Sequence, residues 1–246
     1  MKAIILAAGR GSRMGEGTAN LPKCMMTLGG KTLISRCVET LEAAEISREN
    51  IGIVTGYKSE SIKQHISGVH YFHNAEWETT NMFVSLTKAR EWLLNEPCIV
   101  CYSDIIFHKN AITMLKNSQA SIAITYYSKF WELWEKRFEN PLDDLETFKV
   151  AGKKLLEIGQ RPHSKDEVEG QYMGLLRFEP QGWQIAEDAV KKPMPKPIER
   201  LDMTALLSHL LNLGIEIEAI KTDDPWFECD SLSDVHIATS FHGSGT

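Results

Sequence analysis

No apolar run in these 246 residues approaches the roughly 18–20 that a membrane span requires. The N-terminus does not read as a signal peptide: Ala3–Ala8 is too short for an apolar signal core, and the arginines follow it instead of preceding it. Cysteine is scarce. The five at positions 24, 37, 98, 101 and 229 are odd in number and irregularly spaced, which argues against a disulfide framework. A basic surplus is also absent: 27 Lys and Arg against 33 Asp and Glu give a net charge of −6, unlike a general nucleic-acid binder. There is no internal repeat, and the one proline-rich stretch, 191–200, is short. The eight histidines are scattered, and no Ser–His–Asp or Cys–His set is apparent. These absences leave a cytoplasmic protein without membrane or nucleic-acid partners, long enough for one large α/β domain and short for two.

The apolar residues alternate between two periods. AIILA, IGIVTG from Ile51, VHYFH, CIVCY and SIAITYY read as strands. Between them, helical spacing marks 32–45, 59–66, 81–94 and AITMLK. Such alternation gives a mostly parallel sheet covered on both faces. Residues 128–172 differ, being rich in charge and aromatics, and read as an insertion or lid. The pattern resumes with a strand from Gly174, helices over 181–192 and 201–213, strands IEIEAIK and PWFECD, and a closing helix from Ser231. Cys98 and Cys101 form a C-x-x-C inside the strand CIVCY; three apart, they face opposite sides and cannot pinch a metal.

The loop after the first strand, AAGRGSRMGEG, invites a phosphate reading. Gly9 and Gly11 fit a dinucleotide fingerprint, but the third glycine, Gly15, comes one residue late, and no acidic residue closes the second strand. GGKT at 29–32 has Met25 where a P-loop needs glycine. Further on, CYSDIIF puts Asp104 just past a strand, and WFECDS puts Glu228 and Asp230 at the end of another. Carboxylates so placed suit Mg²⁺ bound to a triphosphate, which keeps one or two protein ligands. Each aspartate can equally be a helix cap.

What does fit the loop is L-A-A-G-x-G-x-R-M…P-K, carried by Leu6, Ala7, Ala8, Gly9, Gly11, Arg13, Pro22 and Lys23. Here the chain resembles the nucleotidyltransferases that make NDP-sugars and CDP-alcohols. The resemblance implies one Rossmann-like α/β domain over 1–246, a mixed, mostly parallel sheet flanked by helices, with 128–172 on the acceptor side. It assigns nucleotide contacts to Leu6, Ala7, Ala8, Gly9, Arg10, Gly11, Ser12, Arg13, Lys23, Gly56, Tyr57, Asn81 and Ser103. It gives catalysis to Arg13, Lys23, Asp104 and Asp230, and Mg²⁺ to Asp104, Glu228 and Asp230. Glycines would let backbone N–H groups approach the β- and γ-phosphates, Arg13 would fork onto them, and Lys23 would meet the α-phosphate.

Within that superfamily the chain is most similar to cytidylyltransferases acting on phosphocholine, phospho-amino acids or phosphonates. TGYKSESI, TTNMFVSL, YSDIIF and ECDSLSDV carry the likeness, as do LWEKRFENPLDDLETF and EVEGQYMGLLRF. It implies CTP as donor and an acceptor site at Tyr126, Trp131, Arg137, Glu169, Gln171 and Tyr172. The aromatics Tyr126, Tyr127, Phe130, Trp131 and Trp134 suit either a cage for a quaternary ammonium or core packing along one helix face. A homodimer is one option. A sugar-1-phosphate nucleotidylyltransferase and a non-catalytic nucleotide-binding regulator remain alternatives.

Overall fold

The strands with the strongest apolar runs occupy the middle of the molecule. In this computed structural model, which describes residues 1–11, 21–231, 233–235 and 237–238, the strands are β1 (Lys2–Ala7), β2 (Thr27–Leu28), β3 (Lys31–Thr32), β4 (Ile51–Thr55), β5 (His70–His73), β6 (Cys98–Tyr102), β7 (Ile105–Phe107), β8 (Ile122–Tyr127), β9 (Phe148–Ala151), β10 (Lys154–Ile158), β11 (Gln171–Phe178), β12 (Glu218–Thr222) and β13 (Trp226–Glu228). The helices are α1 (Leu33–Ala43), α2 (Ser59–His65), α3 (Met82–Thr87), α4 (Arg90–Asn95), α5 (Lys109–Asn117), α6 (Phe130–Arg137), α7 (Pro180–Ala189) and α8 (Met203–Asn212). Nine strands form one sheet in the order β5-β4-β1-β6-β11-β8-β12-β10-β9. Only β11 and β10 run against the others, so the sheet is mixed and mostly parallel.

β1, β4 and β6 are buried almost throughout because helices cover both faces of the sheet. α1 shows how a helix is fitted to that sheet. Thr32 caps it by accepting the Ser35 N–H at 3.2 Å, and Leu33, Ile34, Cys37, Val38 and Leu41 form its buried stripe. β1 pairs with β4 on one side and β6 on the other, so the chain leaves β1 in opposite directions. Ligands bind at such a switch point, beyond the carboxyl ends of the strands. Cys98 and Cys101 are both buried in β6, and Cys101 Sγ lies 3.5 Å from Cys37 Sγ. No helix among the described residues is long and apolar enough to cross a membrane.

One expectation needs correction, and another gains detail. The single helix over 81–94 is two, α3 and α4, because Ala89 leaves helical geometry (φ −99°, ψ 20°) and lets Phe83, Leu86 and Leu93 all be buried. Residues 128–172, expected as an insertion or lid, are not another βα unit. They supply α6 and the β9–β10 hairpin, which turns at Gly152 (φ +60°) and joins the sheet edge through β12. Of the closing helix, 233–235 and 237–238 are helical.

Gly56, just past β4, brings the neighbouring loops together. The Tyr57 N–H donates to the Ala8 carbonyl at 2.9 Å, and a Cβ on Gly56 would lie 2.5 Å from Trp77 Cβ and 2.6 Å from the Ala8 oxygen. Gly56→Ala should therefore destabilise the fold by ~1–3 kcal/mol, the usual cost of overpacking. Urea unfolding checks this, and an unchanged midpoint would mean that the loops are not wedged together there.

Candidate active site

The glycine loop leaves β1 and passes over a cavity of about 250 Å³. Leu6, Ala8, Gly9 and Gly11 form one wall, and Ser103 and Asp104, delivered by β6, form another. Gly11 has φ +77°, and a Cβ there would stand 2.5 Å from Lys23 Cβ. Only glycine lets the loop bend this way while the lysine stem passes beneath it. Pro22, extended at φ −61° and ψ 150°, leads into the short turn that carries Lys23.

The sequence did not reveal the third wall, formed by Trp77, Thr80, Met82, Ser85 and Tyr102 alongside the expected Asn81. Buried Asn74 organises it: its amide donates to Thr80 Oγ1 and Ser85 Oγ, both at 3.0 Å, and its oxygen accepts the Glu76 N–H at 3.1 Å. Asn81 caps α3 through the Met82 N–H at 2.8 Å. Gly56, Tyr57, Ala7 and Arg10 do not line the cavity. Tyr57 packs on Trp77 with ring centroids 5.1 Å apart, and Arg10 lies over the Tyr57 ring. Ser12 and Arg13 fall outside the described residues.

The acidic residues converge by strand pairing. β13 runs antiparallel to β7, placing Glu228 opposite Ile105, and the Cys229 N–H donates to the Asp104 carbonyl at 2.9 Å. Asp104, Glu228 and Asp230 each bring a carboxylate oxygen within 4.8 Å of the others. Lys23 Nζ donates to Asp104 Oδ2 and Asp230 Oδ1, both at 2.5 Å. Burial works against the lysine's charge, but Asp104, Asp230 and Glu228 outweigh it and hold the ammonium pKa above its ordinary value. Glu228 shows the opposite balance. Burial and then the charges of Asp230 and Asp104 push its pKa up to about 8, against the pull of Lys23 and Arg137.

This oxygen-only set fits a hard divalent cation such as Mg²⁺. Asp104 Oδ1 is buried with no hydrogen-bond donor among the described residues, as a metal-facing oxygen would be.

A second cavity of about 300 Å³ shares Met82 and Tyr102 with the first. Glu228 and Asp230 line it, so the charged cluster stands between the two spaces. Its other walls are Asp144, Glu146, Gln171, Tyr172, Asp202 and Thr204. The last aspartate and threonine went unnoticed in the sequence; the signal available was the cap of α8, where Asp202 accepts the Ala205 N–H at 2.7 Å.

A glycine loop, a lysine and an acidic cluster between two cavities suit transfer between two phosphate-bearing ligands. Comparison with known proteins agrees. The MobA-like NTP transferase domain matches residues 3–162. This chain belongs to that family. It is 32% identical over 254 residues to the CTP:phosphoglutamine cytidylyltransferase of Campylobacter jejuni, covering 96% of this chain and 98% of that one. The fold is shared with the inositol-1-phosphate CTP transferase from T. maritima (TM-score 0.77, 16% identity, 100% of this chain and 97% of that one). It is shared also with the CTP:phosphocholine cytidylyltransferase from Streptococcus pneumoniae (TM-score 0.72, 22% identity, 98% of each chain).

Of the residues expected at the acceptor, Gln171 and Tyr172 line the second cavity. Four do not. Tyr126 is buried against Phe148, with ring centroids 5.0 Å apart. Trp131 lies on the outer side of α6 beneath Lys165, its Nε1–H donating to Glu135 at 2.6 Å. Exposed Glu169 accepts the Val150 N–H at 2.7 Å and so fastens β9. Tyr126, Tyr127, Phe130 and Trp134 are core, and Trp134 stacks on Trp226 at 11°.

Arg137 lies behind the acidic cluster instead. Its guanidinium is shut off from solvent, donates to Asp234 Oδ1 at 2.8 Å and Oδ2 at 3.3 Å, and stands 3.7 Å from Asp230 Oδ2. Trp134, Phe138 and Phe227 lie against it. Asp234 in turn accepts the backbone N–H groups of Asp230 at 3.0 Å and Ser231 at 2.8 Å. Removing one partner of a buried pair leaves the other charge uncompensated. Arg137→Gln should therefore cost ~3–5 kcal/mol in denaturant unfolding. A loss below about 1 kcal/mol, the scale of an exposed pair, would show that Asp234 and Asp230 do not depend on it.

Proposed function

We propose that this protein transfers the CMP unit of CTP to a small phosphate- or phosphonate-bearing acceptor, releasing pyrophosphate, with Mg²⁺ as its metal. The observation carrying this reading is the position of Lys23 and the three carboxylates between two cavities. The cytidylyltransferase at 32% identity, matched almost end to end, supports CTP as the donor.

On this reading CTP lies in the first cavity with its phosphates under Gly9–Gly11, where backbone groups can approach closely. The acceptor occupies the second cavity. An oxygen of its phosphate attacks the α-phosphorus in line; the new P–O bond forms as the bond to the β-phosphate oxygen breaks, and the electron pair leaves with pyrophosphate. That oxygen is already anionic near neutral pH, so no side chain has to remove a proton. Asp104, Glu228 and Asp230 would hold the metal, which when bound neutralises phosphate charge and orients the reacting groups. Lys23 places a fixed positive charge where the two ligands meet, and positioning supplies much of the remaining rate.

Pyrophosphate release with CTP, UTP, ATP and GTP against phosphates, phosphonates and sugar phosphates tests the assignment. The expected result is turnover with CTP well above the others. Equal release with UTP would overturn the base assignment, and no release with any pair would overturn the activity.

Lys23→Met, which keeps the stem beneath Gly11, separates rate from binding. Losing a charge-stabilising group of this kind costs about 10²–10³ in kcat, and CTP affinity should fall far less. Steady-state kinetics beside CTP titration check this. Proportional losses of rate and affinity would make Lys23 a ground-state clamp.

A further inference from the structure

On the cytidylyl-transfer reading, we propose that Lys23 is the built-in counter-ion of the acidic cluster and that its ammonium and the metal are alternatives there, so that CTP, by drawing the ammonium away, makes room for the metal. Lys23 Nζ donates to Asp104 Oδ2 and Asp230 Oδ1, both at 2.5 Å. Those are two of the three residues whose carboxylate oxygens converge within 4.8 Å. A divalent ion among these oxygens would repel a nearby ammonium twice as strongly as a monovalent ion at the same distance. Each cation therefore weakens the hold of the cluster on the other.

Lys23 and Arg137 both face the cluster, and only Lys23 can give way. The Arg137 guanidinium is shut off from solvent, donates twice to Asp234 and is enclosed by Trp134, Phe138 and Phe227. The Lys23 side chain is 10% exposed and lines the first cavity. Its stem runs beneath Gly11, where a Cβ would lie 2.5 Å from Lys23 Cβ and 3.0 Å from its Cγ and Cδ. The loop thus holds the stem, and the ammonium turns about the last bonds of the side chain.

That turn has a destination. Gly9 and Gly11 line the same cavity as Lys23, so a triphosphate beneath the loop comes within reach of the ammonium. Phosphate oxygens then replace the carboxylates as its charged partners. The oxygens it releases face the metal, together with Asp104 Oδ1, which is buried and has no donor among the described residues. The metal is held more tightly once the nucleotide has arrived, and by linkage the nucleotide is held more tightly once the metal has. When neither is bound, Lys23 keeps the carboxylates neutralised.

Calorimetric titration of the full chain with Mn²⁺ alone, neither CTP nor acceptor being present, tests the competition. Lys23→Met should bind Mn²⁺ at least about tenfold tighter than the wild type, the scale on which coupled sites act. Adding Asp104→Asn to Lys23→Met should undo that gain, which ties it to the cluster. Lys23→Gln is the second variant should the first fail to fold. Saturating Mn²⁺ should also tighten α,β-methylene-CTP more in the wild type than in Lys23→Met, again by about tenfold, because only the wild type has an ammonium to release. Equal or weaker Mn²⁺ binding by both Lys23 variants, a gain that survives Asp104→Asn, or equal tightening of the nucleotide analogue would overturn the proposal. No Mn²⁺ binding by any of these proteins would overturn the metal assignment and the proposal with it. The expected Mn²⁺ affinities without pyrophosphate release from any nucleotide and acceptor would uphold the competition and overturn the transferase reading.

Discussion

Three carboxylates held within 4.8 Å of one another and partly withdrawn from water repel strongly. At an effective dielectric constant of 20, two unit charges 4 Å apart interact by about 4 kcal/mol. The protein opposes that repulsion with two cations from distant parts of the chain. Lys23 meets Asp104 and Asp230 from the loop side, and Arg137 approaches Asp230 from behind. Both cations need special surroundings. Lys23 fits because Gly11 has no side chain where its stem passes, and Arg137 is enclosed by aromatic faces.

The second layer of support carries the same logic further from the reaction. Asp234 is paired with Arg137 and fixed by the backbone N–H groups of Asp230 and Ser231. Burial works against its charge, but Arg137 and Ser231 outweigh it and hold its pKa below the ordinary carboxylate value. The stack of Trp134 on Trp226 ties α6 to β13, and Trp226 donates its indole N–H to the Met173 carbonyl at 3.0 Å. Segment 128–172 thereby also supports the acidic cluster from beneath.

Much of this was legible before the structure. The glycine loop follows the first strand, and Asp104, Glu228 and Asp230 follow later ones, so local pattern places all of them at strand ends. The acceptor side was harder to read. Tyr126, Trp131 and Glu169 have the chemistry of a binding site, but pairing of β8 with β11 turns Tyr126 into the core, α6 sets Trp131 against Glu135, and Glu169 is taken by the Val150 N–H of β9. Trp77 and Ser85 were missed because their place at the cavity depends on the turn between β5 and α3, where buried Asn74 reaches across to Ser85, a contact that carries no periodic signal.

By itself, the sequence determined the mostly parallel sheet, through apolar runs too continuous for an exposed strand, and the glycine turn after β1, through Gly9 and Gly11. Those are local properties of neighbouring residues. The tertiary structure alone decided which charges would meet. Lys23 and Asp230 are 207 positions apart, and only the pairing of β13 with β7 beside the switch at β1 brings them into contact. It also decided that Arg137 would pair with Asp234 beside Asp230. A buried guanidinium needs a charged partner, and helix α6 sets Arg137 beside Asp234.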